Sequence, residues 1–280
     1  MPWPELGKLI KANDISIYQN PTRYTSSPEA GRIDFVNYRQ RSPEVSLVIS
    51  RIAGGYSGVD PDFQYNYDSS LEAGFQGAGY MNISPKKSLS TLLSWWKTSL
   101  GDRKPKLLFL DCELNGGKEP DVVTRHVQDC LKMIEDNWPE SQLEIYTANW
   151  WWKPNIIHGW ESAYGLWTAH YPYLVQEADG DWRVAWTFEE ADATLPIHNS
   201  FTPFVAKGWT IDETNGWQFT SSLNNVMASK HGRIDGDYFL KTWFDGIFEE
   251  DDTTPPTGTS DVEVIYDPNE VEVKLTELAV

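Results

Sequence analysis

The sequence predicts an α/β fold closed into a barrel, and three features carry that prediction. Strand-like and helix-like stretches alternate through the first half of the chain, the pattern of a parallel sheet. A length of 280 residues suits one such barrel as a single unit. Acidic residues stand in strand runs, at Asp14 and at Asp111 and Glu113, and a barrel gathers its functional groups at strand ends.

The elements follow in order. Asp14-Ile15-Ser16-Ile17-Tyr18 alternates as a short strand. A polar stretch with Pro21 and Pro28 leads to Ile33-Asp34-Phe35 and a helix near 35–41. Residues 45–52 form a strong strand, broken by Gly54-Gly55. Residues 62–74 read as a helix ending at Gly74, and 77–82 as a short strand. Over 86–100, Leu89, Leu92, Leu93 and Trp96 share one helical face, and Gly101 stops the helix. Residues 106–113 read as a strand whose apolar run, Leu107-Leu108-Phe109-Leu110, lacks polar alternation, as suits a strand covered on both faces. A helix over 120–137 ends at Trp138-Pro139, and 143–147 and 163–169 read as strands. Residues 207–211 and 216–220 look β-like as well, with few helical stretches between them.

After Phe248 the texture changes. Residues 249–260 are an acidic Thr/Pro linker too polar to pack. Residues 261–280 alternate around Asp267-Pro268-Asn269, as a hairpin or the start of a further module. The expected organisation is a body over 1–248, a linker over 249–260 and a β-like segment over 261–280. Residues 249–280 hold ten acids and one lysine, half of the net charge of −18.

That charge argues against nucleic acid, which needs a positive surface. No apolar run reaches about 18 residues, so no membrane span is expected. The start, Met1-Pro2-Trp3-Pro4-Glu5, lacks the basic and apolar regions of a secretory signal. Cys112 and Cys130 read as buried free thiols rather than a disulfide framework. Five scattered histidines offer no ligand spacing, so neither metal nor other cofactor is predicted. The 14 Trp and 13 Tyr exceed ordinary use; most belong to the core, yet such rings also make walls for sugars.

Strand side chains alternate, so Asp111 and Glu113 face one way and Cys112 the other. Like charges side by side raise one pKa and leave the other low, as an acid/base pair requires. Acids that face water or cap the next helix fit the local pattern equally well.

Six segments in order resemble glycoside hydrolase family 25, the muramidases known from a fungal lysozyme and from phage endolysins. Asp14-Ile15-Ser16-Ile17-Tyr18-Gln19 is similar to its opening D-x-S-x-W/Y-Q, and Leu110-Asp111-Cys112-Glu113 to its L-D-x-E. Ile145-Tyr146-Thr147, Leu166-Trp167-Thr168-Ala169-His170-Tyr171 and Trp217-Gln218-Phe219-Thr220 resemble its I-Y-T, L-W-x-A-x-Y and W-Q-Y-T. Ile234-Asp235-Gly236-Asp237-Tyr238-Phe239 resembles the closing V-D-L-N-x-F. Two departures stand out: Tyr80-Met81-Asn82 replaces the usual Tyr-His-Phe, and Asp237 replaces an Asn. The stretch 173–207 is also longer and more divergent.

The resemblance implies an irregular, TIM-like β/α barrel with fewer helices than strands. It implies hydrolysis of the β-1,4 bond between N-acetylmuramic acid and N-acetylglucosamine in peptidoglycan, with retention of configuration. Glu113 is then the general acid and Asp111 its charged partner, stabilising the oxocarbenium-like state or orienting the substrate's 2-acetamido group. Asp14 and Asp235 complete the catalytic set, although each also fits a turn. Tyr80, Tyr146, Trp167 and Tyr171 are candidate sugar walls, with core burial as the plain alternative. Gln218 bonds either sugar or barrel backbone, and Arg51 either pairs with one of the acids or lies at the surface. Two other functions compete: a chitinase-like or glucosaminidase barrel, whose D-x-x-D-x-D-x-E pattern lacks its upstream acids here, and a non-catalytic wall-binding module. Without a signal, the expected setting is the host cytoplasm before release to the wall, or a virion or injection particle. The C-terminal segment is then the candidate attachment to a phage or injection-apparatus component.

Overall fold

A computed structural model describes residues 5–19, 32–173, 175–195, 202–224 and 233–249. The strands among the described residues are β1 (Leu9–Ile15), β2 (Val45–Gly54), β3 (Gly58–Val59), β4 (Gln76–Asn82), β5 (Leu107–Asp111) and β6 (Gln142–Thr147). They continue with β7 (Gly165–Ala169), β8 (Val175–Gln176), β9 (Trp182–Arg183), β10 (Thr214–Asn224) and β11 (Arg233–Leu240). The helices are α1 (Phe35–Arg41), α2 (Phe63–Glu72), α3 (Leu89–Leu100), α4 (Pro120–Asn137), α5 (Asn149–Asn155), α6 (Phe188–Thr194) and α7 (Lys241–Phe248).

Eight strands close a barrel in the order β1-β2-β4-β5-β6-β7-β10-β11 and back to β1. All neighbours are parallel except β11, which runs antiparallel to both β1 and β10. The small strand β3 folds back on β2, and β8 and β9 form a separate two-stranded ribbon. Among the described residues helices are fewer than strands, as the resemblance implies.

Alternation along each strand sorts side chains into three apolar groups. Leu47, Ile49, Ala78, Leu107, Phe109, Trp167 and Phe239 fill the barrel interior. Leu108, Leu110 and Cys112 point outward with Leu92, Trp96, Val127 and Cys130 from α3 and α4. The outer face of β1, β10 and β11 carries Ile15, Trp217, Phe219 and Tyr238, covered by α1 and α6 through Phe35, Tyr38, Phe188 and Ala191. Both cysteines are buried free thiols. Among the described residues no helix is long and apolar enough to cross a membrane.

Three sequence expectations need correction. The first strand is Leu9–Ile15, not 14–18, because Leu9 to Ala12 pair with the distant β11, a partner no local pattern reveals. Residues 16–19 instead form a turn, in which Gln19 Oε1 accepts from the Ser16 N–H at 2.8 Å. Residues 207–211 are not a strand: they lead into a 3-10 turn over Ile211–Glu213, fixed by reciprocal bonds between Thr210 and Glu213. Short helices α5 and α6 also occur where no element was named. The expected hairpin at 261–280 lies outside the described residues.

Candidate active site

The inward positions near the C-terminal strand ends are polar almost without exception. They are Asp14 on β1, Arg51 on β2, Tyr80 and Asn82 on β4, Asp111 on β5, Tyr146 on β6 and Gln218 on β10. Glu113 follows two residues after Asp111, on the same side as the alternation requires. Because β11 runs the opposite way, its early residues Asp235 and Asp237 reach the same end of the barrel. Asn82, Asp111 and Tyr146 are register partners across β4, β5 and β6.

Hydrogen bonds tie this ring together. Gln218 Nε2 donates to Asp14 Oδ2 at 2.7 Å, and Gln218 Oε1 accepts from the hydroxyls of Tyr146, at 2.7 Å, and Tyr171. A hydrogen bond links Asp14 and Asp235, lowering the pKa of the first and raising that of the second. Asn13, on the outer face of β1, donates to the Asp235 carbonyl at 2.7 Å and accepts from Tyr38 of α1, which fixes β11 against β1. Asn82 Nδ2 donates to Asp111 Oδ1 at 2.9 Å. One layer deeper, Asp237 Oδ1 accepts from Trp167 Nε1 at 3.0 Å, while its Oδ2 is buried without a hydrogen-bond partner.

Burial dominates the electrostatics. It pushes Glu113 up to about 7, with the Asp14 charge adding to the effect. Burial raises Asp14 to about 6 against the lowering bonds from Gln218 and Asp235. Asp111 is pushed well above the usual carboxylate range by burial and by Glu113, and is opposed by the Asn82 bond and by Arg51. Asp235 and Asp237 are raised for the same first reason and then by Asp14. Such a cluster cannot ionise fully at neutral pH, so protons are retained within it.

Glu113 opens onto a cleft of about 320 Å³, lined also by Asn149, Trp150, Ala169, His170, Tyr171 and Phe204. Trp150 is 73% and Phe204 57% exposed, a large apolar surface to leave in water beside a carboxylic acid. No group of acidic, histidine or cysteine side chains among the described residues suits a metal ion.

The structure brings all four predicted acids to one end of the barrel, with Tyr80, Tyr146, Tyr171, Gln218 and Arg51 among them. Two of the predicted binding residues sit differently from expectation. Trp167 is 1% exposed and packed between Phe109, Tyr146 and Phe239, so it has no free face for a sugar. Arg51 pairs with Asp60, at 2.9 Å, rather than with one of the four acids. Gln218 bonds the side chains of Asp14, Tyr146 and Tyr171 rather than barrel backbone. Sequence reasoning passed over Asn82, Asp60, Trp150 and Phe204. Asn82 had a signal, its departure from the family pattern; Asp60 had none, since its partner is set by the β2–β3 fold-back.

The family described as Glycosyl hydrolases family 25 matches residues 14–226. No curated protein matches the sequence. Among solved structures, a family 25 glycosyl hydrolase from Bacillus anthracis superposes with a TM-score of 0.58 at 14% identity, over 88% of this chain and 96% of that one. The CTP1L endolysin gives 0.57 at 19% identity, over 86% and 70%. A bacterial lysozyme from Streptomyces coelicolor gives 0.57 at 17%, over 82% and 91%.

Proposed function

Because the chain belongs to glycosyl hydrolase family 25 and is a peptidoglycan hydrolase, we propose that it is a muramidase with Glu113 as its proton donor. The observation that carries this reading is the placement of Glu113, a carboxyl raised to about 7, at the wall of an aromatic-lined cleft. A general acid must hold its proton near neutral pH and reach the leaving oxygen.

In the proposed mechanism Glu113 gives its proton to the glycosidic oxygen as the bond from that oxygen to C1 breaks. The substrate's 2-acetamido oxygen closes onto C1, and anionic Asp111 accepts from the acetamido N–H as positive charge develops there. Glu113, now a carboxylate, takes a proton from water, whose oxygen attacks C1 and reopens the ring with net retention. Asp14 and Asp235, sharing one proton, keep the opposite wall of the site at a single negative charge. Trp150, Phe204 and Tyr171 offer faces to the sugar strand. Residues 1–248 form the catalytic unit in this reading, with 249–260 as linker and 261–280 as an attachment to a phage or injection component. The enzyme then acts on the wall after release from the host cytoplasm or from such a particle.

Purified peptidoglycan is the test substrate. The wild type should clear it and create new muramic acid reducing ends, and Glu113→Gln should do neither. New glucosamine reducing ends would make the enzyme a glucosaminidase, and equal clearing by the variant would remove Glu113 from the chemistry.

A further inference from the structure

Asp111 and Glu113 are adjacent inward carboxyls that burial drives toward protonation, yet the proposed chemistry needs the proton on Glu113 alone. Among the described residues one side chain donates a hydrogen bond to Asp111, and it is Asn82; none donates to Glu113. The orientation of the Asn82 amide is not free. Its Oδ1 accepts from the backbone N–H of Gly55 at 3.3 Å, and a backbone N–H can only donate. The carbonyl end of the amide is thereby turned to Gly55, and the NH2 end to Asp111. Asn82 therefore meets Asp111 as a donor, which favours the carboxylate over the carboxylic acid.

The local packing holds that arrangement. A Cβ on Gly55 would lie 2.9 Å from Asn82 Oδ1, 3.1 Å from the Asn82 carbonyl oxygen and 2.9 Å from Leu114 Cδ1. Glycine at 55 thus lets the chain after β2 lie directly on Asn82 and on the residue that follows Glu113. Asn82 itself ends β4 in register with Asp111, so the contact is set by strand pairing rather than by a mobile loop.

We propose that Asn82 is a positioning residue that assigns the proton of the Asp111–Glu113 pair to Glu113. The proposal rests on the acid role of Glu113 given above and names the device that selects it. The other groups that act on Asp111 do not make this choice alone. Glu113 itself and Asp14 from β1 oppose its charge; Arg51 from β2 favours it but is ion-paired with Asp60. Tyr80 from β4 and Tyr146 from β6 stay protonated, each raised first by burial.

The test is a carbon-13 titration of the side-chain carboxyls in the full chain, assigned by Asp111→Asn and Glu113→Gln. In the wild type the Glu113 carbon should follow the higher-pH step of the pair. In Asn82→Leu, similar in size but without a donor, the Asp111 carbon should take over that step. On peptidoglycan kcat should fall about tenfold, the worth of one hydrogen bond to a charged group, with KM little changed. Asn82→Ser, which keeps a short donor, should recover part of the loss. Should Asn82→Leu fail to fold, Gly55→Ala tests the same point with Asn82 present, by pushing its amide off Asp111. Asp111 following the higher step in the wild type, or an unchanged order in both variants, would overturn the proposal. The titration needs no substrate, so it stands apart from a failure to cleave peptidoglycan, which would count against the enzyme reading instead.

Discussion

Glu144 at the floor of the barrel and Glu113 at its mouth are both carboxyls that burial pushes upward, to about 8 and about 7. Their surroundings differ in kind. Glu144 Oε1 accepts from Asn215 Nδ2 at 2.8 Å and from Trp243 Nε1 at 2.7 Å, and α7 seals that end with Trp243 stacked on Phe239 at 5.3 Å. Glu113 has no protein donor among the described residues, acts electrostatically with Asp14, Asp111 and Asp235, and opens onto the cleft. A raised pKa therefore marks burial at both ends, and only the opening and the company of other acids mark a site. Four predictions separate the two ends.

The largest effect belongs at the mouth. In the proposed mechanism Asp111→Asn removes the anion that faces developing positive charge, so it should lower kcat about a hundredfold or more. Its melting temperature should hold or rise, since a buried like charge is gone. A parallel loss of folding, seen by calorimetry, would make Asp111 a structural residue like Glu144.

The pH profile comes next. Glu113 must be protonated to act, so kcat should decline as pH rises through about 7, measured by initial clearing rates. Trp150→Ala should raise KM several-fold, within the tenfold that one aromatic contact of about 1.5 kcal/mol allows, and leave kcat nearly unchanged. A reduced kcat at unchanged KM would place Trp150 in the chemistry rather than in binding.

The floor should answer through stability. The folded state keeps Glu144 protonated up to about 8, whereas the unfolded chain releases that proton near 4.5. Stability from this group is complete below the unfolded value and is lost as pH rises through the folded one. Glu144→Gln, which still accepts from Asn215 and Trp243, should gain on the wild type in melting temperature between those pH values, then level off. Its activity should match the wild type. A turnover defect in Glu144→Gln would erase the distinction between the two ends.

The sequence made the mouth more legible than the floor, for a physical reason. Strand alternation alone places Asp111 and Glu113 on one side and Cys112 on the other, and all three sit so. The barrel reading brought Asp14 to the same end, but placing Asp235 beside them took the family's motif order, because β11 pairs with β1 across more than two hundred residues. Glu144 was invisible, since a lone acid inside a Leu143-Glu144-Ile145 run reads as an ordinary exposed strand position until the barrel closes over it. Trp167 was left between sugar wall and core because an inward aromatic near the mouth can face either, and the bulk of Phe109 and Phe239 decides which. The pairing of Arg51 with Asp60 depends on the backfolded β3, whose two residues leave no pattern.

If Glu113 supplies the proton to the leaving group, its loss should matter unequally on two substrates that differ in how much they need one. On peptidoglycan, Glu113→Gln should lose about a hundredfold to ten-thousandfold in kcat. On an aryl glycoside of N-acetylglucosamine oligomers, whose phenolate leaves without a proton, the same variant should form its glycosyl intermediate at close to the wild-type rate in single-turnover measurements. An equal loss on both substrates would contradict the account and assign Glu113 to some task other than proton donation.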